Sequence, residues 1–73
     1  MKSYGKVLEY DGYTGVIVGL DGNSYMVLDS DLVDKDIKSD DYVSFDKDVY
    51  KDIEITRYIA RFVNKIRKED IKS

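Results

Sequence analysis

The sequence predicts an all-β fold, and three observations support this prediction. Val and Ile together make up 15 of the 73 residues, against four Leu and one Ala. Seven Tyr and two Phe add to them, and β-branched and aromatic side chains suit a pleated, half-buried surface. All five Gly lie between Gly5 and Gly22, and Pro is absent. Tight turns are therefore expected in the first third of the chain.

The first part of the chain predicts a meander of three short strands. These strands are Ser3–Tyr10, Thr14–Leu20 and Asn23–Leu28. The pairs Asp11-Gly12 and Asp21-Gly22 separate them. Asp-Gly favours tight hairpin turns because Gly adopts positive φ at little cost. Asp21-Gly22 is the best hairpin signal in the chain, since Gly supplies positive φ cheaply and Asp tolerates it.

A polar connection is expected next, over residues 29–41. It contains six Asp, and Asp favours caps and turns over regular structure. We predict one helical turn within it. A fourth strand is expected to start in Tyr42–Phe45 and to run towards Tyr50.

The segment Ile53–Ile66 is ambiguous between strand and helix. If the segment is a strand, its basic residues lie on one face, and Tyr58, Ala60 and Phe62 lie on the other. At helical spacing, an apolar stripe appears instead; it consists of Ile55, Ile59, Phe62 and Ile66. The wealth of β-branched and aromatic residues favours a fifth strand. The alternative is a four-stranded sheet or barrel with a C-terminal helix.

Length and composition limit the classes of function. Seventy-three residues make a single domain, 1–73, with a core over about 4–66 and a tail, 67–73, that is expected to fray. His and Cys are both absent, which removes the commonest general base and the commonest transition-metal ligands. The spacing of Asp29, Asp31 and Asp34 does not fit a calcium-binding EF-hand loop. We therefore expect no enzyme, no cofactor and no metal.

The same features predict a cytoplasmic protein that does not enter a membrane. No apolar run is long enough to span a bilayer. The residues after Met1 form no apolar segment of the kind found in a secretion signal.

Short motifs along the chain resemble the cold-shock domain, a five-stranded barrel of the oligonucleotide-binding (OB) type. Gly5-Lys6-Val7 matches the start of that family. Gly12-Tyr13-Thr14-Gly15-Val16-Ile17 resembles its first RNA-binding motif, Lys-Gly-Phe-Gly-Phe-Ile, with one extra residue. Tyr25-Met26-Val27-Leu28 stands where the second motif, Val-Phe-Val-His-Phe, would stand. Further matches are Ser30-Asp31-Leu32, Asp41-Tyr42-Val43-Ser44-Phe45 and Ala60-Arg61-Phe62-Val63. The resemblance implies a five-stranded OB-type barrel that binds single-stranded nucleic acid.

The base-stacking residues depart from the family pattern. Cold-shock domains stack bases on exposed aromatic side chains of the second and third strands, in a basic groove. Here Val16, Met26 and Leu28 stand at three of the aromatic or histidine positions. The candidates that replace them are Tyr10, Tyr13 and Tyr25. Alternatively, these Tyr pack against the barrel with only the hydroxyl exposed.

Charge is divided unevenly along the chain, whose overall net charge is −3. Residues 1–56 hold 6 basic and 13 acidic side chains, a net of −7, whereas residues 57–73 hold 6 and 2, a net of +4. Phosphate contacts would therefore fall mainly on Arg57, Arg61 and Lys65. The alternative is that these cations pair internally with the acidic segment 29–41.

Two functions follow. The first is weak, sequence-tolerant binding of single-stranded RNA or DNA. Its candidate residues are Lys6, Tyr10, Tyr13, Tyr25, Arg57, Arg61 and Lys65. The alternative is a protein-interaction module whose partner is another protein or a second copy of the chain. It would use an apolar patch of Val16, Met26 and Leu28.

Overall fold

Five strands form in a computed structural model that describes residues 2–71. They are β1 (Ser3–Tyr10), β2 (Thr14–Gly19), β3 (Ser24–Leu28), β4 (Tyr42–Lys51) and β5 (Thr56–Ile66). Two short 3₁₀ turns, Asp29–Asp31 and Lys68–Asp70, complete the regular structure of the described residues. Each predicted strand is present, but β2 and β3 are one residue shorter than expected, and β5 begins at Thr56 and not at Ile53.

The strands close into a barrel in the order β1-β2-β3-β5-β4. Strand β1 pairs antiparallel with both β2 and β4, and β3 pairs in parallel with β5 where Met26 meets Ile59. This closed five-stranded barrel confirms the all-β prediction and is compatible with an OB-type fold. The alternative with a C-terminal helix is wrong, because Thr56–Ile66 pairs along the whole length of β4.

The core fills the inside of the barrel with side chains from all five strands. The buried apolar residues of the strands are Val7, Ile17, Tyr25, Val27, Val43, Phe45, Ala60 and Val63. Leu32 and Ile37, from the connection between β3 and β4, join them. Tyr25 lies at the centre, with its ring 4.9 Å from that of Phe45 and 5.6 Å from that of Tyr58.

The connection between β3 and β4 packs against β5 at a bulge. The backbone N–H groups of Val33 and Asp34 donate to the carbonyl of Val63, at 2.9 and 3.3 Å. Pairing between β4 and β5 shifts register at this point, and Phe62 has a φ of 53°. The helical turn predicted in this connection is the 3₁₀ turn at Asp29–Asp31.

The C-terminal tail contains a turn rather than a continuation of β5. The N–H of Arg67 donates to a carboxylate oxygen of Asp70 at 3.1 Å. Residues 72 and 73 of the predicted tail lie outside the described residues. None of the helical segments within residues 2–71 is long and apolar enough to cross a membrane.

A candidate binding groove and the basic residues of strand β5

An open groove of about 430 Å³ lies on the outer wall of the barrel, at the end of β1 and across β2 and β3. It is lined by Glu9, Tyr10, Asp11, Thr14, Gly15, Val16, Met26 and Ser39. Its volume is within the range of small-ligand and side-chain sites. The lining holds two carboxylates and, among the residues that the structure describes, no Lys or Arg.

Strand register places an apolar row along this wall. Val16 pairs with Glu9 on one side and with Met26 on the other, and Met26 pairs with Ile59. Side chains at paired positions of neighbouring strands lie on the same face of the sheet. Met26 is 40% exposed, and Val16 and Ile59 are half-buried. The result is a strip of three apolar side chains across β2, β3 and β5, with Glu9 at one end.

The proposed apolar patch is therefore assembled in part by direct pairing. Val16 and Met26 face each other across β2 and β3, and Leu28 pairs with Thr14 next along the wall. Leu28 is 41% exposed. Ile59 was not predicted as part of this patch, because its place beside Met26 depends on the parallel contact between β3 and β5, which no local pattern indicates.

Tyr25 lies in the core and not on the wall. Its residue surface is 1% exposed, and its hydroxyl donates to the Asp21 carboxylate at 2.5 Å. Burial, reinforced by this hydrogen bond, raises the pKa of Tyr25 to about 12. The ring offers no face to a base, so this residue does not fit the stacking role predicted for it. A signal was available, since Tyr25 alternates in phase with the buried Val27.

The other two Tyr candidates lie at the end of the groove where β1 turns into β2. Tyr10 lines the groove, and its hydroxyl donates to Asp29 at 3.4 Å. Tyr13 is 80% exposed in the turn. Asp11 fixes that turn by accepting from the backbone N–H groups of Tyr13 and Thr14, at 2.8 and 2.9 Å. These hydrogen bonds lower the pKa of Asp11 and keep it ionised.

Arg61 is committed to contacts within the protein. Its guanidinium donates to Asp31 at 2.9 Å, to Asp48 at 3.3 Å and to the hydroxyl of Tyr50 at 3.1 Å. The hydrogen bonds to Tyr50, Asp31 and Asp48 raise the pKa of Arg61. Asp31 is buried, and it also accepts from the N–H of Leu28. Arg61 thus joins the 3₁₀ turn to β4 and β5.

Lys65 and Lys6 also face carboxylates. Lys65 Nζ lies 3.5 Å from Asp41 and 3.8 Å from Asp36, and the Lys65 N–H donates to Asp34 at 2.7 Å. Lys6 Nζ lies 3.7 Å from Asp40. We use the name seam for one set of contacts. It comprises the contacts that Arg61 and Lys65 make with the connection between β3 and β4 and with β4 itself.

Arg57 differs from these cations. It is exposed and pairs with Tyr50, in the part of the β4–β5 hairpin that extends beyond the pairing of β4 with β1. The basic candidates are therefore not gathered on one free surface.

The described residues contain no group of three or more His, Cys, Asp or Glu side chains placed to hold a metal ion. Comparison of the chain with protein-family models and with curated proteins finds no match. The resemblance to the cold-shock domain therefore rests on the short motifs described above, whereas the closed five-stranded barrel is compatible with an OB-type fold in general.

Proposed function

We propose that this chain is a non-catalytic, cytoplasmic binding module on a cold-shock-like barrel, and that its groove binds a segment of another protein. The observation that carries the proposal is the apolar row of Val16, Met26 and Ile59, which borders Glu9 and is open to solvent. Exposed apolar side chains that lie together on a sheet face are typical of interaction surfaces.

The groove is poorly suited to a phosphate backbone. Its charged lining consists of Glu9 and Asp11, which repel phosphate. Two of the basic candidates, Arg61 and Lys65, already face carboxylates at 2.9 to 3.8 Å. Either side chain would have to break these ion pairs before it could bind a phosphate.

Weak binding of single-stranded nucleic acid is the second candidate, and a specific observation favours it. The exposed Tyr13 and the groove-lining Tyr10 lie on either side of the β1–β2 turn. Stacking of one base on an aromatic ring contributes about 1–3 kcal/mol and tolerates any sequence. Within residues 2–71 no ion pair involves the exposed Arg57, which would add one phosphate contact.

A binding experiment with labelled probes separates the two candidates. The probes are peptides of about ten residues that share the same Leu positions and carry Lys, Gln or Glu at the remaining positions, together with oligo-U of similar length. Fluorescence anisotropy at about 50 mM salt reports each affinity, because surface electrostatics are weakly screened there. We expect at least one peptide to bind more tightly than oligo-U.

Matched variants connect that binding to the groove. Met26→Ser removes an apolar side chain from the row, and Val49→Ser removes one of similar exposure, 37% against 40%, from the β4–β5 hairpin. Peptide affinity should fall for Met26→Ser and stay unchanged for Val49→Ser. Binding of oligo-U alone, lost on Tyr13→Ala, would favour the nucleic-acid candidate, and binding of no peptide would refute the protein candidate.

A further inference from the structure

The groove combines an apolar floor with an anionic end, and these features lie side by side. Val16 and Met26 form the floor, while Glu9 and Asp11 supply the carboxylates. Glu9 pairs directly with Val16 across β1 and β2. The Cβ atoms of such paired residues lie about 5 Å apart on the same face of the sheet, which places the Glu9 side chain next to the apolar strip.

We propose that the groove selects a cationic segment of its protein partner and receives a Lys or Arg side chain, an inference that rests on the proposed function. The aliphatic stem of such a side chain would lie on Val16 and Met26, with its charged end at Glu9 and Asp11. Long basic side chains characteristically bury their stems on apolar surface while the charge stays solvated.

The nearby cations of the protein leave these two carboxylates available. Lys6 faces Asp40, and Lys35 faces Asp29. Asp11 uses one oxygen, Oδ1, for the two N–H groups of the turn. Within residues 2–71, no ion pair involves Glu9 or Asp11.

Tyr10 and Gly15 shape the same pocket. Tyr10 forms part of its wall, and a cation near a Tyr ring gains further electrostatic attraction. Gly15 pairs with Tyr10, and the two are packed so closely that an added Cβ at Gly15 would come within 2.9 Å of the Tyr10 ring. The pocket therefore combines the apolar floor of Val16 and Met26 with Tyr10 and two carboxylates, and these suit the stem and the charged end of a bound basic side chain.

The peptide series tests this selectivity by comparing affinities. We expect the Lys peptide to bind more tightly than the Gln peptide, and the Gln peptide more tightly than the Glu peptide. Raising the salt from about 50 to about 300 mM should narrow these differences, because ions screen exposed charges.

Charge removal in the groove provides the matched comparison. Glu9→Gln should weaken binding of the Lys peptide roughly three- to tenfold and leave the Gln peptide nearly unchanged. Glu54→Gln removes an exposed carboxylate from the β4–β5 turn. It should leave the affinities of both the Lys peptide and the Gln peptide unchanged. Asp11 is unsuitable for this test, because it holds the turn.

The outcomes separate this inference from the proposal on which it depends. Equal, Met26-dependent binding of all three peptides would overturn the cationic selectivity and leave a protein-binding groove. Absence of peptide binding would overturn both. Both proposals would be supported if affinity decreases in the order Lys, Gln, Glu peptide and if, of the two charge variants, only Glu9→Gln weakens binding of the Lys peptide.

Discussion

The groove and the seam carry opposite arrangements of charge. In the groove, Glu9 and Asp11 lie beside apolar side chains, and the described residues that line it include no Lys or Arg. In the seam, Arg61 and Lys65 face carboxylates of the β3–β4 connection and of β4. The groove is thus open for a partner, whereas the seam holds the connection against the barrel.

This difference shows why the charge distribution along the sequence gives a poor guide to the surface. The last 17 residues have a net charge of +4, which by itself suggests a phosphate-binding region. Folding brings Asp31, 30 positions away, onto Arg61. Much of the positive charge on β5 therefore serves the fold.

The largest effect is expected from a side chain added at Gly15, where β2 pairs closely with β1. A Cβ added at Gly15 would collide with the backbone carbonyl of Glu9 and would come within 2.9 Å of the Tyr10 ring. Because backbone cannot move aside easily, Gly15→Val should destabilise the barrel by about 3 kcal/mol or more. Thermal unfolding followed by circular dichroism measures this loss.

Gly12→Ala is the matched control for that substitution. A Cβ at Gly12 meets nothing within 4 Å, but its φ of 99° strains any other residue. The expected loss is about 1 kcal/mol. Equal melting temperatures for the wild type and Gly15→Val would show that the register of β1 and β2 is wrong.

The seam should give the next largest effect. Asp31 is 7% exposed and accepts from Arg61 and from the Leu28 N–H. Asp31→Ala leaves both donors without this acceptor, which should lower the free energy of unfolding by about 1–3 kcal/mol. Urea unfolding measures this change in the free energy of unfolding. Asp36→Ala, at an exposed ion pair 3.8 Å long, should lower it by less than about 0.5 kcal/mol. Similar losses in the two variants would contradict the structural role assigned to the buried Asp31 within the seam.

Alkaline pH offers a test of the contact that fixes the β2–β3 turn. The pKa of Tyr25 is about 12 in the folded protein, against 10.0 for the free side chain. The unfolded chain therefore loses this proton first, so stability should be full below pH 10 and should fall between pH 10 and 12. Unfolding measured across this range, with Tyr25→Phe as the comparison, isolates the effect.

Tyr25→Phe should also be less stable at neutral pH by about 1 kcal/mol, because it lacks the hydrogen bond to Asp21. Its stability should depend less steeply on pH above 10. An identical alkaline profile in the two proteins would mean that other groups control the transition.

The smallest effect is expected at Arg57, which is exposed outside the seam. Arg57→Ala should change the free energy of unfolding by less than about 0.5 kcal/mol. It should leave peptide binding unchanged and weaken any oligo-U binding slightly, as expected for the loss of one phosphate contact. A large loss of peptide affinity would place the binding surface on the β4–β5 hairpin instead of the groove.

Strands were predictable because the signals that define them are local. The two Asp-Gly turns, together with the β-branched residues between them, located β1, β2 and β3 almost to the residue. The strand at 56–66 was predictable from its β-branched and aromatic content, although the spacing of its apolar residues also fits a helix. The bulge at Phe62 had no such signal, because it accompanies the docking of Val33 and Asp34 onto the Val63 carbonyl.

The candidate site was only partly predictable. Val16 and Met26 were found because each is an aliphatic residue at a position where the cold-shock motifs have an aromatic one. Glu9 and Ile59 were not assigned to the site, since pairing across strands brings them to it. Internal pairing of the basic residues with the acidic segment 29–41 was one of the two predicted alternatives, and Arg61 with Asp31 and Lys65 with Asp36 and Asp41 follow it. Which carboxylate meets Arg61 could not be predicted, because a contact across 30 residues depends on the closed barrel.

The most direct test of the central claim is a nuclear magnetic resonance titration of the ¹⁵N-labelled protein with the Lys peptide. Amide shift changes show which surface is contacted. We predict that the changes centre on Glu9, Val16 and Met26 and leave Arg57, Arg61 and Lys65 near their starting positions. Changes centred on those three basic residues would contradict the claim that the groove is the binding surface.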